Sequence, residues 1–337
     1  MTLKKVKLIA LIILLVILAV TPLFADSFAM IMLIRYMYFG LMTISFSFLA
    51  SQLGLISLMV PVFFSIVAYV IAIFQLRGIM STEASIVVAF AISMLFAALC
   101  GLMVNKTKRI TFLMLTLVLA QLVWAIAMQW TELTNGVDGL VGIRFPEWLN
   151  IFGTGQNVNE YYWTFIGFVI TATLIWLLTK SQFGLILKGI RESESRMIAL
   201  GYNTPVIKWI AFMIAAFVSS LGGLFYIYFM GMVTPEILTL GASNQALISS
   251  ILGGVHSVIA GSMIGTIIYL TLDLTLSGII QRYSIIIGML FLFVILFTPD
   301  GIMSIHESTA IGRKVSSFLA RKKIGRDTDG QATGTDS

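Results

Sequence analysis

Five charged side chains crowd one internal segment of this chain. Lys188, Arg191, Glu192, Glu194 and Arg196 all lie between positions 188 and 196, with long apolar runs on both sides. Acids and bases this close could trade protons or bind a charged partner. Catalysis would need more, namely a nucleophile beside a base or a set of metal ligands. The two histidines, His256 and His306, are far apart, and Cys100 stands alone inside an apolar run. No Cys/His metal spacing and no phosphate-cradling glycine loop is present, so neither a metal site nor ATP hydrolysis by this chain is expected. The chemistry left for the segment is recognition, of lipid headgroups or of a soluble partner.

A second group is polar and lies inside apolar runs, where such residues are costly and are functional candidates. Gln121 and Gln129 flank Trp124, Asn244 and Gln245 precede the Gly253-Gly254 pair, and Arg35, Gln52 and Asp273 stand singly. Each has a plainer reading as well. Arg35 could extend to an interface, and Trp124 and Trp130 could be interface anchors. Gln121, Asn244 and Gln245 are the first choice for lining a path, with Gly253 and Gly254 as a functional break in a helix. Gly222-Gly223 and Gly261-x-x-x-Gly265 read as faces for close helix packing.

Membrane helices must position both groups. Of 337 residues, 59% are hydrophobic and only 11% charged, and mean hydropathy is +1.01. Soluble domains carry about a quarter charged residues, and a bilayer core needs roughly 20 apolar residues per helix. The continuous apolar runs argue against a barrel, whose strands alternate. An all-α polytopic membrane protein is predicted. The expected spans are 8–25, 28–49, 56–76, 84–104, 110–130, 161–179, 208–230, 244–277 and 282–298. Lys4, Lys5 and Lys7 before the first run suggest a signal peptide. Because more spans follow at once, it is read as a retained first helix.

The net charge of +6 is concentrated in short loops and the tail, so it marks cytoplasmic segments rather than a nucleic-acid site. By that rule the N-terminus, the loop 105–109 and the segment after Lys180 are inside, and the acidic segment 131–160 is outside. The tail, with Arg313, Lys314, Arg321, Lys322, Lys323 and Arg326, must also be inside. That parity requires 244–277 to hold two membrane elements, about 244–253 and 260–277, broken at the glycine pair. About ten transmembrane segments result, with both termini cytoplasmic. Residues 1–305 form the membrane domain, with a cytoplasmic loop at about 180–207. Residues 306–337 are a polar, basic tail, expected to be disordered.

Within that loop, Glu192 to Leu200 reads as one short amphipathic helix. Serines and glutamates favour its start, Gly201 suits its stop, and the residue before Pro205 leaves helix. It could lie on the lipid surface or dock in a groove on a cytoplasmic partner.

Ser181-x-x-Gly184, Lys188-Gly189-Ile190-Arg191-Glu192, Ala199-Leu200-Gly201-Tyr202-Asn203, Lys208 and Ala211-Phe212 together resemble the permease subunits of branched-chain amino acid ABC importers. The likeness continues through Ser219 to Tyr226, Pro235, Ser243, the Gly253-Gly254 pair with Ser257, Gly261 and Gly265, and Phe297-x-Pro299-x-Gly301. It covers roughly 181–301. Each motif is weak alone, and the ordered set is specific. The first half departs from the pattern: Met59 and Val67 stand where glycine is usual, and Asn135 replaces another.

The resemblance implies a type II ABC importer-like permease in the plasma (inner) membrane, binding no cofactor itself. ATP would be used by two cytoplasmic ATPase subunits. A second homologous permease subunit and an extracytoplasmic binding protein complete the implied assembly. Ser181, Gly184, Arg191, Glu192, Glu194, Arg196, Ala199 and Gly201 would couple to the ATPase. Branched-chain amino acids are the implied cargo. Urea or a short amide is the alternative, since Glu194-Ser195-Arg196 and Leu200-Gly201-Tyr202 also occur in related urea permeases, and nucleosides are a third. An ion-coupled secondary transporter would want buried charge relays in several spans, for which only Asp273 and Arg35 are available.

Overall fold

The computed structural model describes residues 18, 21–23, 26–104, 107, 109–146, 156–254, 257–278, 285–289 and 291–292. Most of the expected first span, residues 105, 106 and 108 of the expected basic loop, and the tail lie outside these residues. Of the expected last span only 285–289 and 291–292 are described, both helical.

Helix α1, Ser27–Phe48, runs on through a π-helical turn, Leu49–Leu53. Then come α2 (Val60–Leu76), α3 (Thr82–Val104), α4 (Arg109–Gln129) and the single turn α5 (Thr131–Thr134). A two-residue strand, β1 (Leu140–Val141), precedes α6 (Gln156–Lys180), α7 (Gln182–Glu192), α8 (Glu194–Ala199) and α9 (Thr204–Met230). Strand β2 (Met232–Val233), a 3-10 turn (Pro235–Leu238), α10 (Leu240–Gly253) and α11 (Ala260–Ser277) follow.

Six helices among the described residues are long and apolar enough to cross a membrane: Ser27–Leu53, Thr82–Met103, Arg109–Gln129, Val158–Lys180, Thr204–Met230 and Ala260–Ser277. Val60–Leu76 is a shorter apolar helix. Each forms because an unbroken apolar run in lipid must satisfy its own backbone hydrogen bonds.

The span expected at 56–76 begins later. The chain leaves the π turn at Gly54, whose φ is 68°, and stays non-helical to Met59, with Pro61 in the first turn of α2. A proline there loses no hydrogen bond, because the first helical N–H groups have no intrahelical acceptor. Side chains from three helices serve the exposed backbone of this break. Thr116 Oγ1 accepts from Leu58 N at 3.3 Å, Ser243 Oγ donates to Leu58 O at 2.8 Å, and Ser219 Oγ donates to Val60 O at 2.6 Å.

Helix α9 is the central post. It packs on α1, α2, α3 and α6. Gly222 and Gly223 let it press against its neighbours: an added Cβ would lie 2.8 Å from Tyr38 O at Gly222 and 1.9 Å from Phe64 O at Gly223. Small residues at such contacts let helix backbones approach in a bilayer. Aromatic rings fill the layers above and below, with Phe63 and Phe212 edge-to-face at 5.5 Å.

The two ends of α9 define two poles. At one, β1 pairs antiparallel with β2, Leu140 opposite Val233 and Val141 opposite Met232. There Arg77, just past α2, donates to the Glu132 carbonyl. At the other pole lie α7 and α8. A 27-residue helix is about 40 Å long, so the segments expected outside and inside stand a membrane thickness apart.

Candidate functional site

The charged segment folds differently from the single helix expected over Glu192–Leu200. It forms two helices, α7 ending at Glu192 and α8 starting at Glu194. Ser193 between them is extended, with φ −156° and ψ 99°, and its side chain caps α8 by accepting from Arg196 N at 3.4 Å. A serine between two glutamates competes with the helix for backbone bonds, which favours a cap over continuation. Gly201 ends α8 as expected, with φ 88°, and Tyr202 N closes the turn on Met197 O at 3.1 Å. The exit differs again. Thr204 and Pro205 open α9 rather than precede it, so Lys208 belongs to the helix expected to start there.

Two glycines set the path of these helices. A Cβ on Gly184 would sit 2.4 Å from Thr179 O, so glycine permits the tight corner from α6 into α7. A Cβ on Gly189 would sit 2.8 Å from the Met197 sulfur, which folds α8 back on α7. Ser181 starts α7 in extended conformation. Its hydroxyl donates back to Leu178 O at 2.7 Å rather than capping α7.

The expected coupling residues divide into an anchored set and an outward set. Arg191 is anchored: its guanidinium donates to Ser51 O in the π turn of α1, and its own carbonyl accepts from Arg109 at the start of α4. Glu194 is anchored too. It forms an ion pair with Lys208 of α9 and accepts from Thr204 Oγ1 at 3.1 Å. The Lys208 side chain is 6% exposed, so this cation is held inside the protein and needs its partner. Glu192, Arg196, Ala199 and Gly201 point outward with Ile198, Leu200 and Tyr202. The surface is therefore an apolar patch, with Leu200 67% exposed, rimmed by opposite charges. That composition suits contact with a protein groove.

Ser51, Arg109, Lys208 and Gly54 were not singled out for this site by sequence. Lys208 and Arg109 were seen as members of a motif and of a basic loop. A Cβ on Gly54 would lie 3.1 Å from Arg191 Cγ, so this glycine admits the arginine. The signal available was Gly54 two residues after a polar pair, Ser51-Gln52, at a helix end. Irregular π turns are frequent at functional places.

The path residues are less gathered. Gln121 is half-buried on α4, Asn244 is exposed and Gln245 half-buried in the first turns of α10. Helices α4 and α10 both rest on the turn Pro235–Leu238, which thus joins the two groups. The break expected at the glycine pair is present: α10 stops at Gly253, Gly254 has φ 102°, and α11 begins at Ala260. Packing explains much of it. An added Cβ at Gly253 would fall 1.7 Å from Gly261 O, and one at Gly265 1.7 Å from Ser249 O. A cavity of about 210 Å³ opens elsewhere, between α3, α6 and α9, lined by Ile86, Trp163, Phe225 and Tyr228 with Glu160. None of the five expected path residues lines it. Among the described residues no three His, Cys, Asp or Glu side chains are grouped as metal ligands.

A family model described as the permease component of branched-chain amino acid transport systems matches residues 28–297. A high-affinity branched-chain amino acid transport system permease protein, LivM, of Salmonella typhimurium is 23% identical over 273 residues, covering 74% of this chain and 64% of the relative. LivM of Escherichia coli strain K12 is 25% identical over 228 residues, covering 61% of this chain and 53% of that protein. The matches thus span less than two thirds of either relative's length. No solved structure matches the chain.

Proposed function

Because this chain belongs to the family of permease components of branched-chain amino acid transport systems, we propose that it is the membrane-spanning subunit of an ATP-driven importer of branched-chain amino acids. The observation that carries this reading is the cytoplasmic-pole pair α7–α8. It presents Glu192, Arg196, Ile198, Ala199, Leu200 and Gly201 outward while Arg191 and Glu194 lock it to the bundle. A docking element that transmits rigid-body motion must be short, fixed at both ends and exposed between them. Here Glu194 at the start of α8 pairs with Lys208 and Thr204 beyond its end, which fixes both ends of the exposed stretch to the central helix α9, and Arg191 ties the preceding helix α7 to the π turn beside the α1–α2 break.

In this reading ATPase subunits seat on α8, and their closure pulls through Arg191 on the break at Ser51–Met59 and through Lys208 on α9. A second permease subunit completes the channel, and an extracytoplasmic binding protein delivers cargo to the opposite pole, around the β1–β2 ribbon. Both termini are cytoplasmic, and ten membrane segments are the full complement. Gln121, Asn244, Gln245 and the Gly253-Gly254 break line the path, and the chain itself holds no cofactor.

The test is isolation of the tagged chain from its own membranes, followed by reconstitution with the proteins that accompany it. ATPase subunits should co-purify, and the vesicles should take up labelled leucine only with ATP and a binding protein. Uptake of urea or a nucleoside in place of leucine would overturn the cargo. A chain that carries leucine alone, driven by an ion gradient, would overturn the ATP-driven mechanism.

A further inference from the structure

The central helix α9 packs on α1, α2, α3 and α6, yet among the described residues one of its faces is left open. Val206, Ile210 and Phe217 are exposed on that face, and Leu221 and Leu224 are half-buried. Their spacing follows the helical period, so they form one apolar stripe along the helix. The stripe runs between α3 and α6, which both rest on α9 but make no comparable contact with each other. Phe90 of α3 stands on one bank, its ring 5.6 Å from that of Phe217. Gly167 of α6 stands on the other, against Phe225.

Toward the β1–β2 pole the cleft deepens into the cavity of about 210 Å³. Leu224 of the stripe, Ile86 of α3 and Trp163 of α6 line it together, all within the three helical turns nearest that pole. Its walls are almost wholly apolar, and no cation is among the lining residues. The ring of Phe225 sits so closely on α6 that a Cβ on Gly167 would fall 2.1 Å from its tip. The Tyr228 hydroxyl accepts from Gln75 Nε2 of α2 at 3.4 Å, which leaves the ring to face the cavity.

An apolar cavity stays dry and takes apolar guests, and one of about 150 Å³ holds a six-carbon ring. On that scale this cavity has room for about eight carbons of a hydrocarbon chain. A neighbouring helix, about 10 Å across with its side chains, is too thick to enter it. A free amino acid would bring a carboxylate, for which the lining offers no cation. The guest that fits is thin, flexible and hydrocarbon throughout, and the bilayer supplies such chains along the whole length of the stripe.

We propose that the cleft between α3 and α6 binds one acyl chain of a membrane phospholipid, in the leaflet on the β1–β2 side. Part of the chain fills the cavity, and the rest lies along Leu221 and Phe217. The site depends on the chain's crossing the membrane and on neither the cargo nor the energy source of transport.

The test is photolabelling of the purified full chain in dodecylmaltoside micelles, with phosphatidylcholine that carries a diazirine in one acyl chain, read by peptide mass spectrometry. Labelling of Leu224 and Trp163 should saturate as a single site does. Labelling of Leu174 and Leu177, exposed on α6 farther from that pole, should rise in proportion to the lipid fraction, as on any surface bathed in lipid. Leu224→Trp and Ile86→Phe fill the cavity and should each weaken the saturable labelling about tenfold, with the Leu174 signal unchanged. Labelling at Leu224 that is absent, or that rises in proportion like that at Leu174, overturns the site without any variant. Saturable labelling that both variants leave intact overturns the cavity as its place. Protection by L-leucine would give the cavity to the cargo, and labelling lost in the native assembly would give it to a neighbouring subunit; either result overturns the lipid.

Discussion

Replacing Gly265 with alanine tests the claim that α10 and α11 form a hairpin held by backbone contact. The added Cβ would fall 1.7 Å from Ser249 O and 2.8 Å from Gly253 N. A carbon normally comes no closer than about 3.3 Å to a carbonyl oxygen. The helices must therefore part by about 1.5 Å, and backbone cannot yield as a flexible side chain can. A gap of about 1.5 Å forfeits more than half of the dispersion energy along the contact. In lipid that packing is most of what holds two helices together. The cost should reach about 3 kcal/mol, the upper end for overpacking, or a fall of roughly 6 °C in melting temperature. The assay is thermal melting of the purified chain in detergent, beside a Gly278→Ala control. At Gly278 the nearest atoms lie 3.9 Å from an added Cβ, so no loss is expected there. If Gly265→Ala melts with the wild type, the close approach of these helices is refuted.

Three other outcomes follow from the coupling pole and the poles of α9. Glu194→Gln leaves Lys208 buried without its anion and should cost about 2 kcal/mol, less than the 3–5 kcal/mol for a fully buried pair because Glu194 is 39% exposed. Adding Lys208→Met should restore most of the melting temperature, and a single variant as stable as wild type would refute the pairing. Glu192→Lys and Gly201→Pro should abolish ATP-coupled uptake while membrane levels stay unchanged, because one reverses charge on the docking rim and the other removes the left-handed cap of α8; normal uptake by both would sink the docking role. In a Cys100→Ser background, cysteines at Val137 and Leu200, both strongly exposed, should react with an impermeant maleimide from opposite sides of the membrane, Val137→Cys in intact cells. Labelling of both from one side would break the topology.

Much of this protein is readable without coordinates. Membrane helices announce themselves because 18 or more apolar residues in a row have few other homes. The break at Gly253-Gly254 followed from charge parity, since basic loops resist crossing the membrane. The stop at Gly201 followed from the left-handed conformation that glycine alone takes without strain. The motif order from Ser181 onward led to the family that the comparison with residues 28–297 bears out.

Tertiary structure decided the rest. Ser193 divides the charged segment, because a cap competes with helix continuation on small margins, and folding α8 onto α7 at Gly189 tips the balance. Gly253, Gly261 and Gly265 serve as a packing face as well as a break, which depends on which backbone lies opposite. Whether a charge is outward or anchored cannot be read from spacing. Glu192 and Glu194 are two residues apart, yet one faces solvent and the other holds a lysine fourteen positions on. Long-range contacts set these differences, and they arise only when distant helices meet. The amino-acid sequence thus determined that the chain crosses the membrane and which loop lies apart from lipid. The fold decided which side chains in that loop are free to meet a partner.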